Sequence, residues 1–258
     1  MNNKIKKILK KKNKSKIVCL TAYSKNIAEI VDDHADIVLV GDSLGSVLYN
    51  YDTTRKVSLN MMIEHTKSAR MGVKKSLLVI DLPYNTYRNK SEALKNSKRS
   101  IKETKCDAVK VEGGTRVKEI VKHLVKNRIP VLGHIGVTPQ TTKGKFRSKG
   151  KNEAEKRKLL KDAQDLEQSG AFGIVLECIY SDISKQITNS INIPTIGIGA
   201  SVNCDGQVLV TDDLIGLNET NFRFVKKCGN VKKYIKSAVI KYKHSVKQKK
   251  FPSKKNSY

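Results

Sequence analysis

The 258-residue sequence predicts a single-domain α/β protein with the architecture of a (β/α)₈ TIM barrel. Eight short segments recur along the chain, each nearly continuously apolar, which is typical of parallel strands buried on both faces. Segments with helical periodicity lie between them, and the chain length matches eight strand–helix units. An open, doubly wound parallel sheet is the alternative, because periodicity does not reveal whether a sheet closes on itself.

The individual elements follow from this pattern. The predicted strands cover residues 17–23, 37–41, 77–82, 108–112, 130–135, 173–178, 194–199 and, more weakly, 208–211. The predicted helices cover residues 25–34, 59–71, 92–105, 117–127, 153–169 and 181–190, and a last helix covers 225–249. Ser91 is a candidate N-cap, and Gly170 is a candidate stop signal behind Ser169.

The domain organisation is read from composition. No stretch rich in Pro, Gly or Ser divides the chain. We therefore expect a basic N-terminal segment at residues 1–16 and one catalytic domain at residues 17–258. The catalytic domain is expected to end in a lysine-rich helical tail.

Charge and cysteine content narrow the classes of function. Lys and Arg number 51 against 24 Asp and Glu, a net charge of +27. Basic ends at residues 4–16 and 226–255 are candidate nucleic-acid arms. Few arginines and only 5% aromatic residues favour a solvated lysine surface instead, so nucleic acid is not expected as a partner.

No apolar run is long enough for a membrane span. Five scattered cysteines and the lack of a convincing signal peptide indicate a cytoplasmic protein.

Reactive side chains stand where five successive predicted strands end. Because the carboxyl ends of the strands form the active face of such a barrel, these side chains are expected to converge. One alternative is that each carboxylate only caps the helix that follows, although five strands with the same pattern favour a shared site. The residues are Asp42, Ser43, Asp81, Lys110, Glu112, His134 and Glu177.

The residue types at these strand ends point to a cation and an anionic ligand. Asp42, Asp81 and Glu112 would repel one another and raise each other's pKa unless a cation lay between them. Their oxygen ligands favour Mg²⁺ over Zn²⁺. Lys110 lies two residues from Glu112 and therefore on the same face of its strand, where it can meet an anionic substrate.

Eight short motifs in register resemble those of the ketopantoate hydroxymethyltransferase family. They span residues 16–213 and keep the family order. The motifs are T-A-Y at 21–23, V-G-D-S-L-G at 40–45, D-L-P at 81–83, V-K-V-E-G-G at 109–114, G-H-I-G-V-T-P-Q at 133–140, L-E-C at 176–178, I-P-T-I-G-I-G-A at 193–200 and D-G-Q-V-L-V at 205–210.

The resemblance implies both an activity and a set of site residues. The activity is transfer of a one-carbon unit from 5,10-methylenetetrahydrofolate to 3-methyl-2-oxobutanoate, giving 2-dehydropantoate in pantothenate biosynthesis, with one Mg²⁺ per subunit. Asp42, Asp81 and Glu112 match the family's metal positions. Asp42, Ser43, Asp81, Lys110 and His134 match its substrate-binding positions, and Glu177 matches its catalytic base. A homodecamer is implied as well.

Elementary chemistry agrees with these roles. Removing a proton from carbon 3 of a keto acid leaves an enolate, which a bound Mg²⁺ stabilises as a Lewis acid. Glu177 follows three apolar residues, a setting that strengthens a carboxylate base by desolvation. No cysteine is assigned a catalytic role, and Cys178 is expected to serve packing.

Two departures and one rival class accompany the resemblance. The loop at residues 143–150 is shorter and more basic than the family's glycine-rich aromatic loop, with Phe146 as the replacement for its tyrosine. Ser201 replaces the last glycine of the seventh-strand motif. The rival class is a Mg²⁺-dependent lyase of the phosphoenolpyruvate/isocitrate-lyase type, whose catalytic-cysteine loop (K-K-C-G-H) the chain lacks.

Overall fold

Residues 2–142, 144, 146–219 and 222–258 are described by a computed structural model of the chain. Within these residues, eight parallel strands form a closed barrel in sequence order. The strands are β1 (Ile17–Thr21), β2 (Ile37–Val40), β3 (Leu77–Asp81), β4 (Ala108–Glu112), β5 (Val131–Gly136), β6 (Gly173–Glu177), β7 (Thr195–Ile198) and β8 (Gly206–Leu209). Because β1 pairs with β8, from Ile17 opposite Gly206 onwards, the open-sheet alternative is wrong and the predicted barrel is confirmed.

The predicted helices are confirmed in place, with ends that differ from the prediction by zero to six residues. The described helices are α1 (Asn3–Lys10), α2 (Lys25–Asp32), α3 (Leu44–Tyr49), a 3₁₀ helix (Thr54–Lys56), α4 (Leu59–Gly72), α5 (Lys90–Thr104), α6 (Gly114–Lys126), α7 (Glu153–Gln168), α8 (Ser181–Ser190), α9 (Thr211–Leu214) and α10 (Val231–Lys247). No helix in the described ranges has both the length and the apolar composition to cross a membrane.

The two predicted helix signals have different outcomes. The side chain of Asn89, and not Ser91, caps α5 by accepting a hydrogen bond from the backbone N–H of Glu92. The Ser91 prediction is wrong because the helix begins at Lys90, two residues earlier than its apolar spacing indicates. Gly170 is confirmed as a stop, since it follows α7 with a φ of 90°, in the left-handed region that glycine adopts without strain.

The chain divides into two compact units, Met1–Val210 and Thr211–Tyr258. The first contains the whole barrel together with helices α1 to α8. The second contains α9 and α10, and every residue of α10 except Val231 and Ser245 is exposed. Apolar side chains on α10, including Ile235 and Val239, are among those exposed residues.

Helix α1 closes the end of the barrel at which the strands begin, which we call the barrel floor. Ile5 and Ile8 are buried and join an apolar cluster with side chains of the barrel interior, such as Ile17, Ile37 and Leu77. The sequence prediction assigned no helix to this lysine-rich stretch. Its isoleucines three residues apart nevertheless form the apolar face of a helix, because such spacing places them on one side.

Three lysines of the N-terminal stretch pair with aspartates at the barrel floor. Each aspartate lies just before a strand: Asp36 before β2, Asp107 before β4 and Asp205 before β8. The pairs are Lys11–Asp36 at 2.5 Å, Lys4–Asp107 at 3.6 Å and Lys12–Asp205 at 2.9 Å. The fold therefore accounts for part of the basic character of the chain start.

Candidate active site

The predicted site residues converge at the opposite opening of the barrel, where the strands end, which we call the barrel mouth. Strand register sets the neighbours: Asp81 lies opposite Lys110, and Glu112 lies opposite His134. Asp42 follows β2 by two residues, and its backbone N–H donates to Asp81 Oδ2 at 3.1 Å. The parallel topology thus brings together side chains that are up to 135 residues apart, from Asp42 to Glu177, as the strand-end pattern predicts.

Lys110 forms a buried ion pair with Asp81. Its Nζ lies 2.8 Å from Asp81 Oδ1, and both side chains are 5% exposed or less. Burial alone would lower the pKa of Lys110, but the charges of Asp81, Glu112 and Asp42 outweigh it and raise that pKa. The lysine is therefore a fixed positive charge at the barrel mouth. The contact lacks hydrogen-bond geometry, so Asp81 Oδ1 has no hydrogen-bond partner among the described residues.

Asp42 is buried in a setting that disfavours its negative charge. Burial raises its pKa well above the ordinary value, and repulsion from Asp81 and Glu112 adds to this effect. Hydrogen bonding from the Gln140 side chain acts in the opposite direction and is smaller. A positive charge placed among these three carboxylates would remove the repulsion and stabilise all three in their ionised form.

The donor chemistry of these carboxylates suits Mg²⁺. Every donor is a hard oxygen, and one of them, Asp81 Oδ1, is buried without a hydrogen bond. Among the residues that the structure describes, no group of three or more His, Cys, Asp or Glu side chains is gathered as a metal-binding cluster. The assignment of Asp42, Asp81 and Glu112 as metal ligands stays a prediction.

His134 lies between two carboxylates. Its Nδ1 is 3.3 Å from Glu112 Oε1, and its Nε2 is 3.2 Å from Glu177 Oε2. Burial opposes protonation of the imidazole, but the charge of Glu112 outweighs it and raises the pKa of His134 to about 9. In return, although burial favours its neutral form, the pKa of Glu112 is lowered by His134. At neutral pH His134 is therefore a buried cation.

Glu177 differs from the setting that the sequence predicts. The apolar residues before it are buried in the two apolar clusters, Val175 in one and Ile174 and Leu176 in the other, while its own carboxylate contacts the His134 imidazole. Its side chain is 19% exposed, against 1% for Glu112, so it is the more accessible of the two carboxylates beside His134. That accessibility suits a group that must reach a bound substrate.

Gly136 makes room for Glu177. It lies opposite Glu177 in the sheet register, with a φ of 99°. A Cβ at this position would lie 2.2 Å from the Glu177 carbonyl oxygen. Only glycine fits here, so the last residue of β5 can lie directly against the backbone of Glu177.

Ser43 is half-buried and shares a hydrogen bond with Tyr23, whose phenolic oxygen lies 2.8 Å from Ser43 Oγ. The backbone carbonyl of Tyr23 is 2.8 Å from His65 Nδ1, and Tyr49 hydroxyl is 2.9 Å from His65 Nε2. His65 is thus a satisfied structural histidine, as predicted. Tyr23 lies in one of the matched motifs but was given no role from sequence.

Two further residues of the barrel mouth were missed from sequence. Gln140, on the loop after β5, is 1% exposed and hydrogen-bonds both Asp42 and Glu112. The hydroxyl of Tyr87 hydrogen-bonds the Gln140 side chain. Gln140 ends the G-H-I-G-V-T-P-Q motif, which is the one signal that marked it. No periodicity fixes the direction of a side chain in a loop.

The two departures from the family pattern have different outcomes. Lys143 and Lys145 of the altered loop lie outside the described residues, and Phe146 is exposed. Ser201 is 2% exposed, and its Oγ accepts hydrogen bonds from Ser181 and Asn203. Its φ is not in the left-handed region, so replacing glycine by serine causes no backbone strain there.

Comparison with known sequences identifies the relatives of this chain. A model of the ketopantoate hydroxymethyltransferase family matches residues 2–254. The chain is 60% identical, over the full length of both proteins, to 3-methyl-2-oxobutanoate hydroxymethyltransferase of Pelagibacter ubique (strain HTCC1062). It is 46% identical to the Rhizobium etli protein of the same name, over 94% of this chain and 90% of the relative. These matches extend into the tail, beyond the span of the motifs.

Two of the solved structures with similar folds are enzymes with other names. Phosphoenolpyruvate phosphomutase from Streptomyces platensis subsp. rosaceus superposes with a TM-score of 0.63 at 9% identity, covering 95% of this chain and 87% of that one. A phosphonopyruvate hydrolase superposes with a TM-score of 0.62 at 10% identity, covering 81% and 80%. At such identities the likeness shows the barrel fold alone.

Proposed function

The chain belongs to the ketopantoate hydroxymethyltransferase family, and we propose that it transfers a hydroxymethyl group from 5,10-methylenetetrahydrofolate to 3-methyl-2-oxobutanoate, giving 2-dehydropantoate for pantothenate biosynthesis. The observation that carries this proposal is the buried charge cluster of the barrel mouth. It combines a fixed cation, oxygen donors for a metal and an accessible carboxylate. Those are the groups needed to bind a keto acid and remove its proton.

The keto acid is bound through its negative charge. Lys110 keeps its proton because three carboxylates surround it, so it can neutralise a substrate carboxylate without help from solvent. The Ser43 hydroxyl, held by Tyr23, orients that carboxylate, and His134 supplies a second positive charge. Fixing the substrate in one orientation lowers the entropic part of the barrier.

Mg²⁺ is the resident metal in this proposal, with Asp42, Asp81 and Glu112 as its protein ligands. When bound, it acts as a Lewis acid that stabilises negative charge on the keto oxygen of the substrate. The protein contributes three carboxylates whose mutual repulsion favours binding of a cation.

Glu177 is the base of the reaction. It takes the proton from carbon 3, and the electron pair of the broken C–H bond forms the enolate of the keto acid. Carbon 3 then bonds to the one-carbon unit, and both bonds from that unit to folate nitrogens break, leaving their electron pairs on tetrahydrofolate. The two nitrogens take up the proton removed from carbon 3 and one proton of the attacking water. One water supplies the hydroxyl oxygen, so the keto acid, 5,10-methylenetetrahydrofolate and water give 2-dehydropantoate and tetrahydrofolate. His134, 3.2 Å from Glu177, holds the carboxylate in position.

A direct assay tests this function. The purified protein with Mg²⁺, 3-methyl-2-oxobutanoate and 5,10-methylenetetrahydrofolate is expected to form 2-dehydropantoate, followed by mass spectrometry. Omission of the folate should abolish product. Cleavage of a carbon–carbon bond in the keto acid without folate would instead indicate a lyase and contradict the proposal.

We also infer that the chain acts in the cytoplasm as a homodecamer, with small molecules and not nucleic acid as its ligands. The apolar side chains exposed on α10 support self-association, because a folded chain rarely leaves several large apolar groups of one helix in water. Sedimentation equilibrium should give the mass of ten chains of 28.8 kDa each. A monomeric mass at micromolar concentration would contradict this expectation.

A further inference from the structure

We propose that Gln140 is a positioning residue that fixes the carboxylates of Asp42 and Glu112 for the divalent cation and the keto acid, and that Tyr87 fixes Gln140 in turn. This inference rests on the proposed function, because it assigns a task at the same site. It adds to that function two neutral residues that neither charge nor strand position singles out.

Gln140 contacts two of the three predicted metal ligands at once. Its side-chain Nε2 donates to Asp42 Oδ2 at 2.8 Å and to the backbone carbonyl of Leu82 at 3.0 Å. Its backbone N–H donates to Glu112 Oε2 at 3.1 Å. One residue after β5 therefore joins the ends of β2, β3 and β4, the strands that carry Asp42, Asp81 and Glu112.

Tyr87 settles which way the Gln140 amide points. Its hydroxyl donates to Gln140 Oε1 and accepts from the backbone N–H of Glu112 at 3.3 Å. Burial raises the pKa of Tyr87, and the charge of Glu112 adds to the effect, so the phenol keeps its proton and remains a donor. An amide turned by 180° would direct its oxygen at the Asp42 carboxylate and the Leu82 carbonyl, two acceptors that cannot donate to it.

A neutral donor suits this position better than a charged one. The last torsion of an Asp or Glu side chain is broad, so a carboxylate without a partner rotates through many orientations. A lysine or arginine would fix it but would compete with a metal cation for its charge. An amide fixes one oxygen of Asp42 by a hydrogen bond and leaves the negative charge available.

The loop that carries Gln140 is itself anchored. Arg55, in the 3₁₀ helix after α3, donates through Nε to the Gln140 carbonyl at 2.9 Å. The Arg55 guanidinium also lies 5.3 Å from the centre of the Tyr84 ring, within the range of a cation–π contact. The backbone of Gln140 is therefore held from the β2 side of the barrel, which makes its position independent of the carboxylates that it contacts.

The test is Gln140→Leu in the full chain, with Mn²⁺ affinity measured by electron paramagnetic resonance in the absence of substrate. Loss of an outer hydrogen-bonding partner is expected to weaken metal binding by about 10- to 100-fold. Thr141→Ala is the matched control, because Thr141 is the next residue of the loop, is exposed and makes its own hydrogen bonds away from the carboxylates. It should bind Mn²⁺ like the wild type.

Tyr87→Phe keeps the inference testable if Gln140→Leu does not fold. It removes one hydroxyl and should weaken Mn²⁺ binding by a smaller factor, about 3- to 10-fold. Because Tyr87 acts through Gln140, the double variant should bind Mn²⁺ no more weakly than Gln140→Leu alone. A purely structural role would instead lower the melting temperature of each variant and leave Mn²⁺ affinity of the folded fraction unchanged.

The outcomes separate this inference from the proposed function. Wild-type affinity in Gln140→Leu or Tyr87→Phe, alongside normal 2-dehydropantoate formation by the wild type, overturns the role of Gln140 and leaves the proposed function standing. A wild-type protein that binds no Mn²⁺ contradicts both. Weaker Mn²⁺ binding in both variants, with an unchanged Thr141→Ala control, supports the positioning role.

Discussion

Glu177 and His134 make an unequal pair. His134 is 3% exposed and carries a proton at neutral pH because of Glu112, while Glu177 keeps 19% of its side chain open. A protonated imidazole can hold the carboxylate of Glu177 but cannot itself accept a proton. The exposed partner is therefore the one that we assign to proton transfer.

Replacement of that carboxylate tests the assignment. Glu177→Gln keeps the size of the side chain but removes its ability to accept a proton, so exchange of the carbon 3 proton of 3-methyl-2-oxobutanoate with D₂O should fall by about 10²- to 10⁴-fold. Proton NMR follows the exchange, and calorimetry should show that the keto acid still binds. Exchange at the wild-type rate would remove Glu177 as the base.

Asp32 is a second residue whose contacts indicate its role, which is to stabilise the folded chain. It ends α2, is 5% exposed and accepts hydrogen bonds from the backbone N–H groups of Lys74, Lys75 and Ser76. Burial would raise its pKa, but these N–H groups outweigh burial and lower it. The folded state thus favours the ionised form and connects α2 to the start of β3.

The contribution of Asp32 to the free energy of unfolding should depend on pH. Because the pKa of Asp32 is lower in the folded chain, its contribution is complete above the ordinary value of about 4 and is lost as pH falls through the lowered pKa. Asp32→Asn should reduce the free energy of unfolding by about 1–3 kcal/mol at pH 7. Urea titrations should show a smaller difference from wild type at pH 3. Asp33→Asn, at an exposed neighbour, should leave the free energy of unfolding close to that of the wild type. Equal losses in both variants would contradict this view.

At the scale of elements, the sequence predicts the repeated strands and helices of the barrel, and it does not predict features that occur only once, such as loop contacts and helix α1. The eight strands are readable because each is apolar on both faces, and the site follows because parallel strands end at one opening. Gln140 and Tyr87 were not assigned roles, since loops carry no period that orients a side chain. Helix α1 was not predicted, because most of its residues are polar and its apolar face consists of two isoleucines. The residues that bury this face lie in strands distant in the sequence.

Helix α1 gives a prediction of its own. Ile8 is 3% exposed and packs at the barrel floor, so Ile8→Ala should lower the free energy of unfolding by about 2–4 kcal/mol. Lys7→Ala, on the exposed face of the same helix, should change it by less than about 0.5 kcal/mol. Chemical denaturation measures both. A neutral Ile8→Ala would mean that the helix is not docked on the barrel.

At the scale of the whole molecule, the charge of +27 has a divided explanation. Three lysines form ion pairs with aspartates at the barrel floor, and Lys110 belongs to the candidate site. Most of the others face solvent, including the six lysines of α10, which has no acidic residue. A positive field of this size would attract the two substrates of the proposed function, because the keto acid and the folate are both anions.

The field predicts a salt dependence. When ionic strength rises from about 0.01 M to about 0.3 M, the Debye length shrinks severalfold, and kcat/KM for 3-methyl-2-oxobutanoate should fall by about 3- to 10-fold. The value of kcat should change little, because the buried groups of the site are screened less. Chloride and acetate salts should act alike, which distinguishes screening from competition by one anion. Salt-independent kcat/KM would argue against steering.

One ion pair of the barrel floor joins residues that are translated far apart in time. Lys12 is made early, yet its partner Asp205 lies 193 residues later, just ahead of β8. On the ribosome, this ion pair therefore cannot form until seven strands have been translated and residue 205 has emerged. Contacts of such sequence separation form late and slowly. The ion pair between Lys12 and Asp205 is thus expected among the last contacts of the barrel floor to form.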